Sequence, residues 1–131
     1  MQSEAATFPL QSHLGMSIES PAAGRARATV ALTEDLHNPN GVVHGAVLFA
    51  MADTSMGAAT MSILGEGQAC ASIEVHIRFL RPVASGELIA ETEVVRAGRR
   101  IVQLDSSISD DTGELVATAT GSFVVISAPS Q

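Results

Sequence analysis

Between Gly41 and Leu64 the only residue with a full charge is Asp53, set among Ala, Val, Leu, Met, Phe, Ile, Gly, Ser and Thr. Taking an ionised carboxylate out of water costs on the order of several kcal/mol unless neighbouring groups compensate it. A segment this apolar does not keep such a group by accident, which makes Asp53 the first residue to examine for chemistry. A carboxylate in this setting can act as a general base on water or attack as a nucleophile through a short-lived anhydride. The sequence leaves both open. Just upstream runs Asn38-Pro39-Asn40-Gly41-Val42-Val43-His44-Gly45. Gly45 falls at the start of a helix, where backbone N–H groups lack intrahelical partners and the dipole end is positive. An oxygen that gains negative charge during a reaction is stabilised there, and the missing Cβ allows close approach. The plainer reading is a glycine needed only for loop geometry or helix packing.

The elements that must position these groups follow from periodicity and breakers. Residues up to about 14 read as an arm or short helix, Met16 to Glu19 as a brief strand, and Pro21 to Gly24 as a turn. Arg25, Arg27, Thr29 and Ala31 alternate with Ala26, Ala28, Val30 and Leu32, the period of a half-buried strand. Asp35 to Gly41 is a loop. His44 to about Ile63 reads as a helix with no charged face, so it must be covered on most sides. Gly65-Glu66-Gly67 ends it. Strands are expected over Ala69 to Leu80, Glu87 to Arg96, Ile101 to Ser109 and Glu114 to Ile126, with turns at Pro82 to Gly86, Ala97-Gly98 and Asp110 to Gly113. Successive turn-linked strands pair antiparallel. The expected class is α+β, a curved antiparallel sheet wrapped around one long helix, with residues 1–131 forming one domain.

In one continuous helix, Gly45 and Asp53 lie about 12 Å apart along the axis and point in different directions. A single helix cannot bring both to one small carbonyl group. Two antiparallel copies can, so the pair of residues calls for a dimer with two equivalent sites.

Composition narrows the functions. The net charge is −7, all seven basic residues are Arg, and the only aromatics are four Phe. This argues against general nucleic-acid binding, which needs clustered cations or stacking platforms. Hydrophobic residues make up 46% and charged ones 16% of the chain, an excess of apolar surface that could be buried between subunits. Cys70 is the single cysteine, and no Cys/His spacing suggests a zinc site. Cys70 is expected to be a small core residue, and His76 a solvated or interface residue on a strand face near Arg78. The N-terminus lacks a signal-peptide pattern, and Asp53 argues against a membrane span, so a cytoplasmic protein with no membrane partner is expected.

Asn38, Gly41, His44-Gly45, Asp53 nine residues beyond the histidine, and Ser72-Ile73-Glu74 with Pro82 closing that strand resemble the hotdog-fold thioesterases. The likeness is nearest to the PaaI-like, phenylacetate-degradation branch and covers nearly the whole chain. One departure is His44-Gly45-Ala46 where the family usually has His-Gly-Gly; it bears on backbone shape more than on the glycine expected to function. The resemblance implies an acyl-CoA thioesterase with sites between subunits of a homodimer, pairs of which assemble into tetramers. It places Asn38, His44 and Ser72 at the site to hold water and thioester, and suggests aromatic or medium-chain acyl groups in a pocket lined partly by Met51 and Thr54. Family members use the region of Arg99-Arg100 near the nucleotide, and adjacent guanidiniums can grip phosphate; a solvated charged turn is the rival reading. No metal or redox cofactor is implied, coenzyme A being part of the substrate. A competing reading from another class is a non-catalytic acyl-CoA-binding or regulatory module on the same fold. A dehydratase would need a second acid/base partner beside Asp53, and none is evident.

Overall fold

A computed structural model describes residues 7–129. Its elements in chain order are α1 (Pro9–Leu14), β1 (Met16–Glu19), β2 (Arg25–Ala31), a 3-10 turn (Glu34–Leu36), α2 (Gly45–Met61), β3 (Gln68–Phe79), β4 (Glu87–Ala97), β5 (Ile101–Asp110) and β6 (Leu115–Ser127). All the strands join one antiparallel sheet in the order β1-β2-β4-β5-β6-β3. The sheet curls around α2, and each expected strand is present with ends shifted by a residue or so.

One connection differs from expectation. Pro82 to Gly86 does not turn β3 back onto β4. β3 pairs with β6, so the segment crosses from one edge of the sheet to β4 beside β2. Along the way, Val83 accepts from Val43 N–H (2.8 Å) and Gly86 accepts from Leu32 N–H (2.9 Å), fastening the crossover to the chain entering α2. The β5–β6 turn is built on Asp110, whose carboxylate accepts from the Thr112 hydroxyl and from the Thr112 and Glu114 N–H groups. These donors, the Thr112 hydroxyl first, hold its carboxyl down at about 2. Arg81, two residues beyond β3, pairs with Asp110 and Glu114.

Apart from Phe123, the core carries no aromatic ring among the described residues. Val47, Leu48, Met51, Ala52, Ser55, Met56, Ala59 and Thr60 form the face of α2 turned into the sheet, against residues such as Val30, Leu88, Leu104, Ile108 and Val116. Gly121 lets the helix come close: a Cβ there would stand 2.5 Å from the Met56 sulfur. A buried row of hydroxyls, Ser55 to Thr92 (2.6 Å) and Thr92 to Ser106 (2.9 Å), ties α2 to β4 and β5 and satisfies each polar group in place.

The sheet covers only this half of α2. The other half carries Ala46, Phe49, Ala50, Asp53, Thr54 and Gly57, which border an open cleft of about 670 Å3. A helix apolar all round is thus half bare within one chain, short of the near-complete cover expected of it. Among the described residues, no helix is long and apolar enough to cross a membrane.

Candidate active site

Asp53 lies on the open side of α2, half-buried at the cleft floor. Burial pushes its carboxyl above the usual 3.8, and the Ser72 hydroxyl, acting as a hydrogen-bond donor, opposes that rise. Ser72 reaches it because of a fault in the β3–β6 ladder. Ser72 pairs with Phe123 and Glu74 with Ser122, leaving Ile73 as an extra residue. Strict alternation would put Ser72 on the same face as Glu74, His76 and Arg78. The bulge resets the parity, so Cys70 and Ser72 before it and Val75 and Ile77 after it all face the helix. Glu74, His76 and Arg78 then lie on the outer surface, where His76 and Arg78 border a polar groove with Asp105.

Gly45 is the first residue of α2, and no described residue accepts a hydrogen bond from its N–H. His44 is the N-cap: its Nδ1 accepts from Ala46 N–H (2.9 Å). That contact commits Nδ1 to the helix end and, in a neutral ring, puts the proton on Nε2. Asn38 is committed in part as well. Its Oδ1 accepts from Asn40 N–H (2.9 Å) and Val42 N–H (3.4 Å), shaping a turn completed by Gly41 at φ 77°. Its side-chain NH2 remains for another acceptor. Asn38 and Gly45 border a second cleft, of about 460 Å3, with Phe79, Leu80, Arg81 and Pro82.

The residues therefore separate into two groups. Asn38 and Gly45 share one cleft, while Asp53, Ser72 and Thr54 share the other. Among the described residues, neither of these two clefts holds both Gly45 and Asp53, as the helix geometry requires. Met51 departs from expectation: it is fully buried against the sheet and does not line the cleft. Two residues after it along a helix, Asp53 points about 200° away, so the two cannot share a wall. Thr54 does line the cleft. Cys70 also differs, being a half-buried cleft residue, with its thiol pushed up by burial and by the Asp53 charge. Arg99 and Arg100 are exposed in the β4–β5 turn. Ile101 pairs with Val124, which pairs with Ala71, so the turn lies at the Ser72 end of β3, about 10 Å away across two strand spacings.

Sequence reasoning missed the rings. Phe8, Phe49 and Phe123 border the Asp53 cleft, and Phe79 covers Gly45, so every aromatic side chain of the protein stands at one of the two clefts. Their scarcity in a chain this apolar was the available signal.

A curled six-stranded antiparallel sheet holding one long helix is the hotdog fold. The chain belongs to the Thioesterase superfamily, whose family model matches residues 40–117, more than half its length. It superimposes on a Haemophilus influenzae thioesterase with TM-score 0.86 at 29% identity, covering 90% of this chain and 82% of that one. The Escherichia coli PaaI protein of the phenylacetic acid degradation operon gives TM-score 0.83 at 30% identity, over 91% of this chain and 85% of that chain. A Halobacterium salinarum relative, provisionally named an esterase, is 36% identical over 127 residues, 88% of this chain and 83% of that protein. The proofreading thioesterase EntH of Klebsiella pneumoniae is 28% identical over 106 residues, 81% of this chain and 77% of its own.

Proposed function

We propose that the protein hydrolyses acyl-CoA thioesters to the free acid and coenzyme A, at sites formed between two antiparallel α2 helices of a homodimer. The observation that carries this reading is the separation of Gly45 and Asp53 into different clefts of one chain, each holding half of what thioester hydrolysis needs. In the dimer, the N–H of Gly45 from one subunit stabilises the carbonyl oxygen as it becomes negative. Asp53 of the other subunit activates water or attacks directly, Ser72 beside it. The Asn38 NH2 group and His44 Nε2 orient water and thioester. The proposed chemistry calls on no resident metal or redox cofactor.

Two features support the dimer. The bare half of α2 exposes apolar surface beside Asp53. β3 is an edge strand of 12 residues with Ile73 and Phe79 exposed, a long unguarded template for pairing with a second copy. Such dimers could pair further into tetramers. A cytoplasmic location agrees with an acyl-CoA substrate. Arg99 and Arg100 are proposed to hold the nucleotide phosphates; Thr54 belongs to the acyl pocket.

Following CoA release with a thiol reagent across a panel of acyl-CoAs tests the activity. Saturable binding without release would favour the regulatory module instead. Mixing tests the shared site: chains carrying Asp53→Asn combined with chains carrying Gly45→Pro, each inert alone, should regain about a quarter of normal activity, because half the dimers are mixed and each has one intact site. No recovery from a mixture shown to exchange subunits would sink the shared-site arrangement. For the phosphate contact, Arg99→Ala combined with Arg100→Ala should raise KM for an acyl-CoA about tenfold. The same acyl group on pantetheine, which lacks the nucleotide, should show no such rise.

A further inference from the structure

We infer that α1 forms the end wall of the acyl pocket and that Phe8 and Leu10 set the length of acyl group the enzyme accepts; this rests on the thioesterase reading above. α1 is a fixed element. Its one buried residue, Gln11, donates from Nε2 to Met16 O (3.1 Å), and Gly15, at φ 63°, caps its end by donating to Gln11 and Ser12 carbonyls. Leu10 in α1 and Phe8, its N-cap residue, are still 53% and 41% exposed, and both border the cleft that holds Asp53.

The topology puts α1 at the N-terminal end of α2. β1 starts at Met16, which pairs with Val30, and Val30 pairs with Leu88, at the end of the sheet where the Pro82 to Gly86 crossover meets the chain entering α2. From Asp53 toward that end, the open face of α2 passes Ala50 and Phe49 to Ala46, about 10 Å along the axis at seven residues. Along this cleft Ala46 and Ala50 are small, while Phe8, Leu10 and Phe49 supply bulky apolar surface. Among the described residues no Arg or His borders the cleft, and Asp53 adds negative charge. The pocket therefore fits an uncharged apolar acyl group and disfavours one ending in a second carboxylate.

The test compares kcat/KM for straight-chain acyl-CoAs from acetyl to dodecanoyl in the unaltered protein, Phe8→Ala, Leu10→Ala and Phe8→Trp, with thermal unfolding as a check on folding. Either alanine variant should raise the dodecanoyl-to-hexanoyl ratio about tenfold, the low end of what one methylene is worth in a hydrophobic pocket. Phe8→Trp should lower it. Unchanged ratios in all three variants, with the unaltered protein active, overturn the inference while leaving the thioesterase reading intact. Should the unaltered protein release CoA from nothing in the series, that reading falls. Calorimetry with inert S-alkyl-CoA thioethers then judges the wall alone: a shifted dodecyl-to-hexyl affinity ratio supports it, and an unshifted ratio or no binding overturns it.

Discussion

Asp53→Asn is expected to lower kcat by about 10²- to 10⁴-fold with little change in KM, because the amide fills the same space but can neither take a proton from water nor attack a carbonyl. The same substitution should not harm the fold. Burial holds the Asp53 carboxyl above its usual 3.8, so the folded chain keeps that proton to higher pH than the unfolded chain does. Stability from this site is therefore fully present in acid and is lost as pH rises from the ordinary carboxylate range through the raised one. At neutral pH the ionised group works against folding, and an amide that never ionises should melt at or above the temperature of the unaltered protein. Lost activity with retained or increased thermal stability would place the effect in chemistry. The direction of the shift also fixes the pH profile. The carboxylate is the active form, so kcat/KM should fall on the acid side at a pH above 3.8. Ser72 lowers the Asp53 pKa, so Ser72→Ala should move that acid limb upward. An Asp53→Asn enzyme that still releases CoA at the normal rate would remove the carboxylate from the mechanism.

Gly45→Pro should cost about 10²- to 10³-fold in kcat, the range measured for loss of one oxyanion donor. Proline is tolerated at the first position of a helix, and it deletes the N–H in question while adding a ring whose bulk needs its own control. His44 is already extended at φ −70° and ψ 136°, as a residue before proline must be. The comparison that gives the experiment its meaning is Gly45→Ala, which keeps the N–H. A Cβ at Gly45 would stand 3.0 and 3.2 Å from two carbons of the Phe79 ring. That ring is 55% exposed in the single chain, and a shift of a few tenths of an ångström at its tip would relieve the contact. Gly45→Ala should thus lose far less, and Phe79→Ala should relieve what crowding remains. Equal losses in the proline and alanine variants would show that space over the glycine matters and its N–H does not.

The strands were legible because each carries its own alternation and each turn its own breakers. β1 was readable from Met16 to Glu19, and the β4, β5 and β6 hairpins from Ala97-Gly98 and Asp110 to Gly113. The long helix, its start at His44-Gly45 and the isolation of Asp53 were equally local facts. What adjacency misled on was the partner of β3. A short Pro-containing link looks alike whether it turns a hairpin or crosses a sheet, and only long-range pairing with β6 tells the two apart.

The sequence by itself determined which groups have chemistry to offer and that Gly45 and Asp53 cannot meet within one helix, since rise and rotation per residue are constants of the backbone. Tertiary structure decided which side of α2 the sheet covers, sending Met51 into the core and leaving Thr54 and Asp53 bare. It also decided where the β3 ladder slips at Ile73, which turns Ser72 toward the carboxylate. Both depend on how a half-apolar strand and an all-apolar helix share a limited covering surface, a competition settled by packing across the whole molecule and written in no single segment of it.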